Sequence, residues 1–534
     1  MSLSGLPAIV RHFAHFLGAG NPMVERAAAL ASLATLSGHV CADLERDAGW
    51  GPWAAELDAA ARAAFRAQLP ALDCVGGRAD WTPLAWDGQR LYLRRYWDYE
   101  QRVAADLLAR AGGVIDLGSE LAAELEARFA DAGQRQAAGI ALGRRLALIS
   151  GGPGTGKTHT LARIIGLLQS RNPTQRILLA APTGKAAARM TEALRSAGVT
   201  VEAEARTLHR LLGVRADGSG FRHHRDNPLA ADVLVVDEAS MIDLSLMAHL
   251  LDALPAAAQL ILLGDRNQLS AVEAGAVFAD LCDSPQLAGA VATLSTSFRF
   301  SAESGVGRLA ECLRTGDAAG TIDQLQAEGG DLVWLPPGGS SEPVAVARAG
   351  YASYREGVAA GLPAQELFER FNRFRVLCAH RQDAGAINRA LSADNRLLPA
   401  PGTPLMVLRN DALLRVFNGD IALMLPDPAD GALKACFMTA DAQLRWIPLS
   451  RLPAWEPAWA MTIHKSQGSE FDTVLLVLPA NLSQVATREL VYTGVTRAKR
   501  QVLLHTGENV LRTAISQRAE RMSGLQAALG QRSA

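Results

Sequence analysis

The stretch Leu146–Ile165, LALISGGPGTGKTHTLARII, decides the fold. Its opening run Leu146–Ile149 is apolar and reads as a buried strand of a parallel sheet. Its closing part, THTLARII, spaces apolar residues as a helix does. Between them Gly151, Gly152, Pro153, Gly154, Thr155, Gly156, Lys157 and Thr158 fit G-x-x-x-x-G-K-[ST]. Glycines between a strand and a helix let the backbone wrap phosphate oxygens and aim N–H groups at them. Lys157 is then placed for the β- and γ-phosphates of a nucleoside triphosphate, and the Thr158 hydroxyl for Mg²⁺. What hydrolysis drives is not written in this stretch.

Outward from it, short apolar runs alternate with helical segments: Leu146–Ile149, Ile177–Ala181, Val233–Val236 and Leu260–Leu263. That is the rhythm of a parallel sheet covered on both faces. A second set, Val376–Ala379, Val474–Leu478 and Val502–Leu504, predicts a second α/β core, without a phosphate loop. Within it, residues 400–455 read as a small β insertion, with turns at Asn418-Gly419 and Asp430-Gly431. Another hairpin is expected at 214–228, turning at Asp217-Gly218. The expected division is a mostly helical 1–125, a first core at 126–335 and a second at 336–534.

Two strand ends carry the chemistry a phosphate loop needs. ADVLVVDEASMID ends a buried run in Asp237-Glu238, which places two carboxylates at the crevice where ligands bind. Asp237 is the expected Mg²⁺ partner and Glu238 the expected base for the attacking water. In LILLGDRNQLSAV, Gln268 is expected to sense the γ-phosphate and Asp265 to tie the site to a neighbouring loop.

The 534-residue chain is too long for one ordinary domain and, at 49% apolar residues, can fill several cores. Its net charge of −1 speaks against a coat-like nucleic-acid binder, though not against a narrow basic channel. The six cysteines, Cys41, Cys74, Cys282, Cys312, Cys378 and Cys436, form no C-x-x-C pair, which disfavours zinc, iron–sulfur and disulfide frameworks. His223-His224 lacks a further ligand at metal spacing and reads as solvated. With no leader-like or membrane-spanning stretch, a soluble cytoplasmic protein is expected.

DEAS and GDRNQL, with APTGKAAARM from Ala181 and TLHRLLG from Thr207, resemble a superfamily 1 helicase of the RecD family, the alpha subunits of exodeoxyribonuclease V. LSTSFRF ending at Phe300, FNGDIAL from Phe417, AMTIHKSQGSEFD from Ala460 and ELVYTGVTRAKR ending at Arg500 follow in that family's order. The resemblance implies two tandem RecA-like cores, an SH3-like insertion and an N-terminal docking domain. It gives Gln134 the adenine edge, Arg299 and Arg497 the γ-phosphate, and Glu470 the nucleotide's sugar or phosphates. It assigns Pro182, Thr183, Lys185, Thr207, His209, Thr462, His464, Ser466 and Gln467 to DNA. Such small polar groups suit phosphates and stacked bases rather than base-edge reading. It further implies ATP and Mg²⁺, 5′-to-3′ unwinding of DNA, and RecB-like and RecC-like partners at double-strand ends. The resemblance also places nuclease chemistry in another chain, and the sequence agrees: no carboxylate cluster with a lysine stands beyond Asp237-Glu238.

A stand-alone RecD-like helicase is the alternative; those carry a longer N-terminal region with helix-hairpin-helix repeats, which 1–133 does not show. A protein-remodelling P-loop ATPase accounts for residues 151–238 but not for TIHKSQGSEFD or VYTGVTRAKR. A scaffold with a degenerate site conflicts with intact Lys157, Thr158, Asp237, Glu238 and Gln268.

Overall fold

The computed structural model describes residues 2–531 apart from 117–120, 200–203, 216, 219, 301–303, 328–329, 339–341, 393–398, 412 and 440–442. The first core is a six-stranded sheet in the spatial order Val291–Leu294, Leu146–Gly151, Gln259–Gly264, Val233–Val236, Ile177–Ala181, Arg206–Thr207. All neighbours are parallel. Strand periodicity sorts its side chains. Ala147, Ile149, Val233, Val235, Ile261 and Leu263 face one core with the helices Ala132–Gly143 and Lys157–Arg171. Leu146, Leu148, Leu234, Val236, Leu260 and Leu262 face the other, with the helices Arg94–Ala111 and Leu244–Ala253. Burial on both faces explains why these strands read as unbroken apolar runs.

The second core is a five-stranded parallel sheet, ordered Leu332–Leu335, Ala498–His505, Phe471–Val477, Phe374–Cys378, Ala460–Thr462. Between Phe374–Cys378 and Ala460–Thr462 stands a separate antiparallel sheet of five strands, from Pro404–Val407 to Trp455–Pro457. Gly419 and Gly431 take positive φ at its turns, which a side chain rarely adopts.

Packing divides the chain differently from the sequence boundaries. The N-terminal body, with its own core from Leu6 to Leu91, is not wholly helical. Four short strands, ordered Ala42–Asp43, Arg90–Leu93, Leu84–Trp86, Val75–Gly76, pack with its helices. The helix Arg94–Ala111 belongs to the first core, where Val103, Ala104 and Leu107 are buried. Arg110 anchors it by donating to the carbonyls of Leu254 (3.1 Å), Pro255 (3.1 Å) and Ala258 (2.6 Å). Helices Gly305–Thr315 and Ala318–Gln326, expected in the first core, bury Val306, Leu309, Leu313 and Ile322 in the second. The C-terminal segment leaves the second core and buries Met522, Leu525 and Leu529 in the first. An apolar stripe at helical spacing does not say which core it meets.

Glu100, fully buried, and Asp280, half-buried, lie beside Ser523 of that segment. Burial pushes Glu100 up to about 7, against the pull of hydrogen bonds from Ser523 and the Gly524 N–H. Burial also raises Asp280 to about 7, with Ser523 lowering and Asp283 raising it further. The folded chain therefore keeps protons that the unfolded chain has already released in the ordinary carboxylate range. The stability from this pair is full below that range and is lost as pH rises through about 7. Between pH 5 and 8 it costs on the order of 1–3 kcal/mol per group. Urea unfolding at the two pH values tests this, with Glu100→Gln showing a flatter dependence; an equal slope in both contradicts it.

Candidate nucleotide and nucleic-acid site

The strand Leu146–Gly151 feeds the phosphate loop, and the helix Lys157–Arg171 starts with its free N–H groups facing a cavity of about 620 Å³. Gly154 and Gly156 hold φ of +80° and +78°. A Cβ at Gly154 would meet Arg299, and one at Gly156 would lie 2.9 Å from Gln134 Nε2. Glycine is therefore required there by conformation and by close approach alike. Lys157 Nζ donates to the carbonyls of Gly151 (2.6 Å) and Gly152 (3.0 Å). Thr155 Oγ1 closes the turn on the Gly152 carbonyl at 2.8 Å. Gln134 is buried against the loop, and Thr158 lines the cavity.

Asp237 and Glu238 leave the strand Val233–Val236 into the same cavity. Burial, and then the neighbouring Glu238, push the Asp237 carboxyl above the usual range, while Lys157 opposes them. Glu238 has φ 55° and ψ 38°, a left-handed conformation rare for a side chain of this kind. Such strain persists only where the surroundings impose it, and it is found at working sites.

The second core closes the cavity. Arg497 is 3% exposed. It donates through Nη2 to Gln268 Oε1 (2.8 Å) and through Nε to the Thr493 carbonyl (3.1 Å). Gln268 Nε2 donates to Asp265 Oδ2 at 3.0 Å, and the Tyr492 hydroxyl reaches that oxygen from the second core at 3.2 Å. Arg299 pairs with Glu470. Burial disfavours the Glu470 carboxylate, but Arg299, Arg189 and Arg497 together hold it below the usual range. Residues 229 positions apart thus share one hydrogen bond at the expected γ-phosphate position.

Among the cavity residues missed in the sequence reading are Arg189, His159 and Phe298. Arg189 lies one helical turn beyond Lys185 within a motif already singled out. Phe298 directly precedes Arg299, and its ring is 63% exposed beside Gly156 and Gln134.

The DNA-side residues fall into two groups. Pro182 and Thr183 follow the strand Ile177–Ala181, and Thr183 caps the helix Gly184–Ser196 through the Ala186 N–H at 3.2 Å. Thr207 caps the next helix through the Arg210 N–H at 3.2 Å. His209 is exposed, with its ring 6.0 Å from that of Phe221, and Thr462 and His464 are half-buried. The other three bond to protein groups, Ser466 and Gln467 in the interior and Lys185 at the cleft. Ser466 is fully buried and donates to the Ile463 carbonyl at 2.7 Å. Gln467 bridges the cores through the Leu269 carbonyl at 3.1 Å. Lys185 donates to Ser469 Oγ at 2.6 Å. Its side chain opens onto the cleft, yet protein crowds the ammonium; desolvation and then Arg189 and Arg375 lower it to about 8. Among the described residues of 214–228, Val214 pairs antiparallel with Phe221 across the expected turn, with Arg215 N–H on the Gly220 carbonyl (3.0 Å) and Arg222 N–H on the Gly213 carbonyl (2.7 Å), and His224 pairs with Asn227. Phe221 packs its ring 5.1 Å from that of His249.

Comparison with known families follows this geometry. Residues 134–274 match a family described as AAA domain, and 457–505 the UvrD-like helicase C-terminal domain. A triphosphate cleft closed by a second parallel core, with those two matches, makes this an ATP-dependent DNA helicase by class. Residues 4–92 match the N-terminal domain of RecBCD enzyme subunit RecD. Over 94% of its length the chain is 39% identical to RecBCD enzyme subunit RecD of Mycolicibacterium smegmatis, covering 93% of that protein. The Haemophilus influenzae subunit is 33% identical over 83% of this chain and 80% of its own length. The ATP-dependent RecD2 DNA helicase of Deinococcus radiodurans is 32% identical over 67% of this chain and 46% of its own. The chain belongs to the RecD family.

Proposed function

We propose that the chain couples ATP hydrolysis to 5′-to-3′ movement on single-stranded DNA, as the RecD-type subunit of a complex with RecB-like and RecC-like chains acting at duplex ends. The observation that carries the reading is the Arg497–Gln268 contact between the cores. ATP held by the loop 151–158 lies between them, with Gln134 at the base and Phe298 exposed alongside to stack on it. Thr158 and Asp237 would hold Mg²⁺: a hydroxyl and a half-buried carboxylate are hard oxygen donors. Bound there, Mg²⁺ neutralises phosphate charge. Glu238 orients the attacking water, and Arg497 and Arg299 stabilise the charge that develops. Loss of the γ-phosphate removes the anion that holds both arginines across the cleft, and the cores separate. Pro182, Thr183, Thr207 and His209 on one core and Thr462 and His464 on the other then grip the strand with alternating strength.

The N-terminal body is the docking module in this reading. Co-expression with RecB-like and RecC-like chains yields a stable three-chain complex that a chain lacking residues 1–92 does not enter; entry without them contradicts the assignment. The loop 214–228 is a strand-separating element beside His209. Phe221→Ala with a shortened turn leaves DNA-stimulated ATPase intact and slows unwinding about tenfold. Unchanged unwinding rejects that role.

A further inference from the structure

The loop after the strand Gln259–Gly264 carries Gln268 and is held from three bodies at once. The second core takes Leu269: its N–H donates to Thr493 Oγ1 (3.0 Å), and its carbonyl accepts from Gln467 (3.1 Å). The N-terminal body takes Gly275, whose N–H donates to the Gly38 carbonyl at 3.1 Å. The C-terminal segment takes Ala271, whose carbonyl accepts from Arg521 Nη2 at 3.5 Å.

Arg521 joins the loop to the N-terminal body. Its Nη1 donates to the Ser37 carbonyl at 2.8 Å, so one guanidinium fork spans the N-terminal body and the Gln268 loop. Gly38, at φ +84°, leaves room for that guanidinium; a Cβ there would overlap it. The segment around Arg521 is fixed on both sides. Val40 N–H donates to the Met522 carbonyl (2.8 Å), and Met522 N–H to His39 Nδ1 (3.0 Å). Ser523 Oγ and Gly524 N–H both donate to Glu100 Oε1, at 3.0 and 2.8 Å, and Leu525 and Leu529 are buried beyond. The chain thus leaves the second core at residue 516, crosses to the first, and touches the N-terminal body on the way.

We propose that Arg521 is a positioning residue: through the C-terminal strap it sets the loop 265–275, so that the seating of the N-terminal body tunes how strongly DNA accelerates ATP turnover. This rests on Gln268 serving the γ-phosphate. A planar fork holding two carbonyls on different bodies transmits a shift of one to the other, which a single-point contact does not. The coupling is reciprocal: a strand gripped by the cores firms the seat of the N-terminal body.

The test is steady-state ATP hydrolysis by the full chain with and without a saturating oligothymidylate, for Arg521→Ala, Arg521→Lys and Gln268→Ala, beside urea midpoints. The expected result is an Arg521→Ala chain with unchanged midpoint, unchanged basal rate and unchanged KM for ATP, but a DNA-stimulated kcat about tenfold lower. Arg521→Lys restores part of the stimulation. A stimulated kcat within twofold of the parent, or basal and stimulated rates falling in step with the midpoint, overturns the inference. Gln268→Ala separates the two readings. If it leaves turnover intact, the γ-phosphate role of Gln268 fails and this inference with it; if it abolishes turnover while Arg521→Ala is silent, only the inference fails.

Discussion

Replacing Lys157 with Gln is expected to lower ATP turnover by at least about 10³-fold, with the fold intact. The loop does not depend on the ammonium for its shape: the Thr155 hydroxyl bond, the two left-handed glycines and the Phe298 N–H to the Gly154 carbonyl (2.8 Å) set the backbone. The ammonium lies at the mouth of the loop, within reach of the Gly151 and Gly152 carbonyls, and it is the cation that opposes the raised Asp237 carboxyl. A glutamine fills similar space without charge, so phosphate charge on the reacting end goes uncompensated in a site where little water screens it. Phosphate release with and without single-stranded DNA measures the effect. Turnover within tenfold of the parent would remove the phosphate loop from the mechanism.

The second large effect is expected at Arg497. Arg497→Ala should reduce kcat by about 10³-fold or more while ATP still binds, because the base, loop and metal partners all lie on the first core. Truncation also leaves Gln268 Oε1 without its donor and takes one cation from beside Glu238 and Glu470. Arg497→Lys separates charge from geometry: an ammonium keeps the charge but cannot serve Gln268, Thr493 and Ser469 together as the guanidinium does. Loss of about 10²-fold in the lysine variant, with nucleotide binding retained by a fluorescent ATP analogue, is the expected pattern. Equal loss of binding and turnover would make Arg497 a structural residue only.

The chemistry of the first core was legible because its signals are local. A phosphate loop, an acidic pair at a strand end and a Gly-Asp-x-x-Gln turn each sit within about a dozen residues, and strand alternation fixes where they point. Residues that work across the cleft carry no local signal. Arg299 and Arg497 were named only through resemblance, and Tyr492, which meets Asp265 from the second core, looks like any helix residue in ELVYTGV. Ser466 and Gln467 show the converse. Their motif was read as DNA contact, and in the fold Ser466 also bonds the Ile463 carbonyl and Gln467 the Leu269 carbonyl, links the motif does not signal. The four N-terminal strands are hard to read from sequence because each has two to four residues, too short for a period to register firmly. The return of Leu525 and Leu529 to the first core is a long-range packing choice that amphipathic spacing does not encode. Among the described residues no helix is long and apolar enough to cross a membrane.

The central claim is that hydrolysis between the cores drives strand separation in one direction. ATP-dependent unwinding of duplexes bearing a single-stranded 5′ or 3′ tail tests it most directly, with the chain in complex with RecB-like and RecC-like partners whose own ATP sites are inactivated. Unwinding from the 5′ tail alone, abolished by Lys157→Gln in this chain, is the predicted result. Unwinding from the 3′ tail, or unwinding that persists with Lys157→Gln, would contradict it.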